Sequence, residues 1–267
     1  LSTSNGYTGS TSLNAGITEF VAGALGNGSS LALGGGATLQ YAAGNTEDIS
    51  TKTVTIGSGG ATLDIGGNDV SLANSIGNYG AGGLTKTGSG TLTLDGYNTY
   101  TGQTTISSGW VSVAADASLG DPTTAAGVVF NGGSLRARAG FTTARPLAVN
   151  AAATLDVPGE ADSLVLGGTA TGAGLVTKTG SGTLHLDGPN TALTGGITLA
   201  GGTVTLGGGQ ANGFQGIGTG TITFQNGSVL NLNGFNGAFN GTSWGTLANT
   251  LVVPAGQSGT MNLPGRC

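Results

Sequence analysis

Short runs in which polar and apolar residues alternate recur about every ten residues along this chain. Thr91, Leu92, Thr93 and Leu94 form one such run, and Thr104, Thr105 and Ile106 another. Trp110, Val111, Ser112 and Val113 alternate in the same way, as do Ser134, Leu135, Arg136 and Ala137. Thr183 to Leu186 and Thr203 to Leu206 repeat the pattern. A period of two over three to six residues rich in Val, Ile, Leu and Thr predicts half-buried strands. Between the runs stand Gly-Ser-Gly, Asp-Gly, Gly-Asn-Gly and Asn-Gly-Gly, which turn sharp corners at little steric cost. Lys and Glu are nearly absent, so no stable amphipathic helix is expected.

The strand runs belong to a longer repeat. Residues 83–113 read GLTKTGSGTLTLDGYNTYTGQTTISSGWVSV, and residues 174–206 read GLVTKTGSGTLHLDGPNTALTGGITLAGGTVTL. A truncated copy opens the chain at residues 1–16. Aligning the shared Thr-Gly pair places Thr8, Thr101 and Thr194 in one position, with a step of 93 residues. Landmarks in the variable stretches keep the same order. Leu25 matches Leu119, and Asp64 matches Asp156. Residues 216–218, 226–230 and 259–263 follow more loosely in the third module. The reading is a single repetitive segment over 1–267, with modules at about 1–93, 94–186 and 187–267. Leu1 aligns with Leu94, so the chain starts inside a unit, and continuation by further repeats or end-to-end self-association is expected. Antiparallel stacks and a parallel β-helix both suit the strand spacing, and the long period favours an all-β, right-handed parallel β-helix (solenoid). At roughly 20–25 residues per coil, one module would hold about four coils. Apolar residues would stack inside, with Thr, Ser and Asn outside.

Composition narrows the function classes. The chain has 56 Gly and only 7% charged residues, with a net charge of −5. That balance argues against nucleic acid or an anionic membrane as the main partner. No apolar run is long enough to span a bilayer as a helix. The one cysteine is Cys267, so no disulfide framework is expected; it could instead cross-link chains.

Candidate chemistry is sparse. Asp95 and Asp187 recur in Leu-Asp-Gly, which reads as an Asp-Gly turn more readily than as a Ca²⁺ or base site. Asp64, Asp156 and Asn262 share one module position, and the Asn argues for a stacking role over a required charge. Glu47, Asp48, Asp116, Asp121, Glu160 and Asp162 lie in variable stretches; paired acids could cleave a glycosidic bond, but nothing in the sequence pairs them on one face and solvated loop charges are the favoured reading. His185 stands where the sister copy has Thr93, an outward strand position with no metal-ligand spacing around it. Arg136, Arg138 and Arg145 form the only basic cluster and could grip an acidic sugar, sulfate or phosphate, although interrupting a long apolar ladder against aggregation is the favoured reading. Tyr97, Tyr100, Trp110 and Trp244 are the notable aromatics; Trp110 could stack on a sugar, and the tyrosines suit turn packing. Arg136, Arg138, Arg145 and Trp110 are therefore the candidate ligand or partner contacts. No catalytic, cofactor or metal residue is assigned.

Residues 83–92, then Leu94, Asp95, Gly96, Asn98 to Gly102, Thr104, Ile106 and Gly109, resemble the autotransporter-associated β-strand repeat, also called the passenger-associated transport repeat. Residues 174–195 and 3–16 carry the same pattern. The resemblance implies a secreted or surface-displayed β-helix in a large bacterial protein. Its expected role is structural and adhesive, without catalysis or cofactor; the alternative is a carbohydrate-active or glycan-binding passenger. A polysaccharide or cell-surface glycan is the expected outside partner.

Overall fold

The computed structural model describes residues 1–188, 192–207, 218–232 and 249–262. Gly216, Ile217, Trp244, Leu263 and Cys267, which entered the sequence reading, lie outside the described residues. The chain divides into two compact units, Leu1–Leu135 and Arg136–Cys267. Each is an all-β parallel solenoid among its described residues, and the first also carries two short 3-10 turns, at Ile49–Thr51 and Asp116–Leu119.

The first unit winds through three parallel sheets. One holds Thr11–Leu13, Ser30–Leu33 and Thr53–Ile56. The second stacks Ile17–Phe20, Ala37–Tyr41, Ala61–Asp64, Leu84–Thr87, Thr104–Ile106 and Val128–Phe130. The third includes Val70–Leu72, Thr91–Leu94 and Trp110–Val113. Ala37 pairs with Ala61, Ala61 with Leu84, and Leu84 with Thr104, so successive coils take 24, 23 and 20 residues. In the second unit the sheet Ala153–Asp156, Val176–Thr179, Ile197–Leu199, Ile222–Phe224 and Leu251–Val252 advances by 23, 21, 25 and 29 residues. The neighbouring sheet there runs from Phe141–Thr143 to Gly259–Asn262. Most coils thus have the expected length, and the longer ones carry extra loop residues.

Alternation becomes stacking because the registers are parallel and in phase. Leu39, Leu63, Lys86, Ile106 and Phe130 occupy one inward column of the first unit. Leu155, Lys178, Leu199 and Phe224 form its counterpart in the second. Every member of both columns is buried. On the outer side of the same strands run columns of Thr. These are Thr38, Thr62, Thr85 and Thr105 in the first unit, and Thr154, Thr177, Thr198 and Thr223 in the second.

Among the described residues one buried side-chain group goes unsatisfied. Phe20 and Tyr41 are register partners, their rings edge to face with centroids 4.6 Å apart. The Tyr41 hydroxyl is buried without a hydrogen-bond partner. Burial, with Glu47 and Asp48 adding, raises its pKa above the usual tyrosine range. A buried orphan hydroxyl costs stability that a phenyl ring of the same shape does not. Tyr41→Phe is therefore expected to stabilise the first unit by about 1 kcal/mol in urea unfolding. A loss of stability on this change would contradict the assignment.

Candidate functional site

The repeated Lys-Thr-Gly-Ser-Gly segment builds the most distinctive site. Leu84, Thr85, Lys86 and Thr87 alternate inward and outward, which places the Lys86 side chain among leucines. Its stem lies in the apolar column, and its ammonium reaches the corner that follows the strand. There Lys86 Nζ donates to the carbonyls of Gly88, Gly90 (2.7 Å) and Ser108 (2.9 Å). The first two belong to its own coil and the third to the next. One ammonium so caps a corner and pins it to its neighbour. Lys178 repeats the device, donating to Thr179 (2.7 Å), Gly180 (2.9 Å) and, one coil on, Gly201 (3.3 Å). Lys52, the remaining lysine, donates to the carbonyls of Gly26 and Gly28 on the preceding coil.

Room for the ammonium comes from a glycine one coil later. Gly109 has φ +61°, and a Cβ there would stand 2.5 Å from the Gly88 and Gly90 carbonyl oxygens and from Lys86 Nζ. Gly202 stands in the same relation to the Gly180 and Gly182 carbonyls. The Lys and the later Gly are therefore one structural unit separated in sequence.

The Asn-Thr-Tyr-Thr-Gly half of the repeat builds a second corner. Asn98 is buried; its Oδ1 accepts from the Ile76 N–H (2.9 Å) and its Nδ2 donates to Ser118 O (2.6 Å), linking three coils. Tyr100 is fully buried, its hydroxyl 2.7 Å from Thr104 Oγ1, which donates to Leu119 O. Tyr7, Thr11 and Leu25, 93 or 94 residues earlier, repeat that chain of contacts. Tyr100 thus packs in a turn as expected, whereas Tyr97 is exposed.

The acids serve the backbone in the same manner. Glu47 accepts from the Gly23 N–H, Asp69 from Thr91, Asp121 from Thr123 and Asp162 from Gly140. Asp48 caps Ile49–Thr51 through the Ser50 N–H and also accepts from Ala73. The position shared by Asp64, Asp156 and Asn262 is a stacking position. Asp64 accepts from Gln40 and Asp156 from Thr179, while Asn262 donates to Asn231; each pair is in register across one rung. His185 faces outward between Val165 and Thr205. Among the described residues no three His, Cys, Asp or Glu side chains come together as a metal site.

The arginine candidates separate. Arg136 is half-exposed and its Nε donates to the nearly buried Asp156 carboxylate at 2.7 Å. Arg138 is exposed just past the end of Ser134–Ala137. Arg145 is buried, 4% exposed, so it does not join an outer basic face. Trp110 is half-buried on an outward position, in register with Thr91. What the sequence reading missed is the lysine pair. The signal was present: a Lys in the inward phase of two separate alternating runs, each followed by Gly-Ser-Gly.

The profile of the family described as Passenger-associated-transport-repeat matches residues 84–113 and 176–206, so the chain carries two such repeats. Among curated proteins, the Adhesin BmaC autotransporter of Brucella suis biovar 1 (strain 1330) is 35% identical over 156 residues. That alignment covers 57% of this chain and 4% of the relative, so the chain spans a small part of the protein it matches. No solved structure matches.

Burial pushes the Lys86 ammonium from 10.5 down to about 8, against an opposite pull from Asp64 and Asp69. Burial moves Lys178 likewise to about 8, with Asp156 opposing. Between pH 8 and 10.5 the unfolded chain holds protons that the folded chain has released, so stability rises with pH across that window. Below about pH 8 both states are protonated and the dependence is absent. The double variant Lys86→Met/Lys178→Met is expected to abolish this rise. At pH 7, Lys86→Met alone leaves corner carbonyls without their donor and is expected to cost about 2 kcal/mol. Denaturant midpoints measured from pH 7 to 10.5 test both statements; a flat wild-type profile would overturn the first.

Proposed function

We propose that this chain is a non-catalytic stretch of β-solenoid in an autotransporter passenger, exposed at the bacterial surface, where it forms part of an adhesive body. The observation that carries this reading is how the charged groups are used. The three lysines and the acids Glu47, Asp48, Asp64, Asp69, Asp121 and Asp162 all bond backbone groups at coil corners. Side chains so engaged hold coils together and leave few groups poised for chemistry. The two repeats, and the likeness to a protein named as an autotransporter adhesin, supply the setting.

Stacked coils also suit a body that stands outside a cell. Most strands are hydrogen-bonded on both edges by the coils before and after them, which leaves little extended backbone for a protease to bind. Continuation by further repeats, or end-to-end association of copies, would cover the strands at either end of such a stack.

Antibodies against residues 1–267 are expected to label intact, unpermeabilised cells that produce the parent protein. A strain whose parent protein lacks this segment is expected to adhere less. Label that appears only after permeabilisation would sink the surface reading. Unchanged adhesion would limit the segment to a spacer.

A further inference from the structure

Beside the outer Thr column of the first unit, along the corner that enters its second sheet, lies an open groove of about 350 Å³. Its wall is the hydroxyl column Thr62, Thr85 and Thr105 together with the Gln103 side chain, and its floor is glycine backbone. The glycines are explained by coil stacking. A Cβ on Gly83 would stand 2.3 Å from Gln103 O, and one on Gly102 would stand 2.4 Å from Gly83 N. The consequence is a channel that no side chain fills.

Three features define what this channel can hold. No charged side chain lines it, so neither an anionic nor a cationic ligand finds a counter-charge there. No hydrogen bond within the described residues engages the hydroxyls of Thr62, Thr85 and Thr105 or the Gln103 amide, in contrast to Thr11, Thr104 and Thr179, whose hydroxyls are bonded. The groups recur once per coil, at roughly 4.8 Å, so the three hydroxyls span roughly 10 Å along the stack. An added peptide strand is disfavoured, because the strands bordering the groove are paired on both edges by neighbouring coils. A ligand that meets all three conditions is uncharged, extended, and carries hydroxyls repeatedly along its length.

We propose that this groove binds neutral polysaccharide in extended form, the sugar hydroxyls exchanging hydrogen bonds with Thr62, Thr85, Thr105 and Gln103. The inference deepens the adhesive reading above by naming the ligand class, and rests on it for biological purpose only. The groove offers no aromatic platform, so a single site binds weakly, and repetition along a longer passenger supplies avidity.

The test is titration of the ¹⁵N-labelled 267-residue chain with cellohexaose, laminarihexaose and maltohexaose, with a galacturonic acid hexamer as the charged control. The expected result is that at least one neutral hexasaccharide shifts the amides of Thr62, Thr85, Gln103 and Thr105, and the charged one does not. Thr85→Val/Thr105→Val removes two hydroxyls while keeping side-chain shape and is expected to weaken binding at least tenfold. Gln103→Ala, at an exposed position, is expected to weaken it several-fold and guards against a folding defect in the first variant. The proposal is overturned if no neutral hexasaccharide moves these amides, if the variants bind as the parent does, or if only the galacturonic acid hexamer binds. Surface labelling and adhesion of cells are separate readouts, so failure here is distinguishable from failure of the adhesive role.

Discussion

A solenoid depends on satisfying the backbone where it turns. Along the sheets the parallel ladders pair most strands with the coils on either side. At every corner the chain leaves the ladder, and carbonyls and N–H groups point into a crowded interior. Buried backbone groups left unpaired would cost more than the packing of a thin core returns. This molecule meets the demand with its scarce charged and amide side chains. Lys86 and Lys178 donate to carbonyls, Asp69 and Glu47 accept from N–H groups, and Asn98 does both.

The lysines show how far the demand reaches. Each interrupts a column otherwise made of Leu, Ile and Phe, and each is fully buried. An ammonium in such a column is tolerable only because carbonyl oxygens converge on it at the corner. The arrangement also ties register to chemistry. If the coil slipped by one residue, the Lys would face outward and its carbonyls would lose their donor. Gly109 and Gly202 complete the arrangement by leaving the space that the ammonium occupies.

With many of the charges engaged inside and at corners, much of the outer surface is left to uncharged polar residues. Columns of Thr run along both units, one rung per coil. These columns are repetitive, uncharged and rich in hydroxyls. Adhesion through many weak, equivalent contacts is the kind of function this surface suits.

Several features were legible in the chain before any coordinates. The period-two runs gave the strands, the 93-residue step gave the repeats, and the Lys-Thr-Gly-Ser-Gly stretches gave the family resemblance. The shared position of Asp64, Asp156 and Asn262 was readable as a stacking site, because a charge that Asn can replace is not needed for chemistry. Other features required the fold. Arg136 and Arg145 look alike in the sequence, yet one bonds Asp156 at the surface and the other is buried. The partners of Lys86 include Ser108, and those of Asn98 include Ile76 and Ser118, residues about twenty positions away. Local alternation determines which face a side chain takes, because successive residues of a strand point to opposite sides. Which residues then meet depends on coil length, which runs from 19 to 31 residues according to loops that alternation does not encode. The sequence by itself therefore determined the strands, their inward and outward sides and the repeat, while the tertiary structure alone decided the partners across the coils.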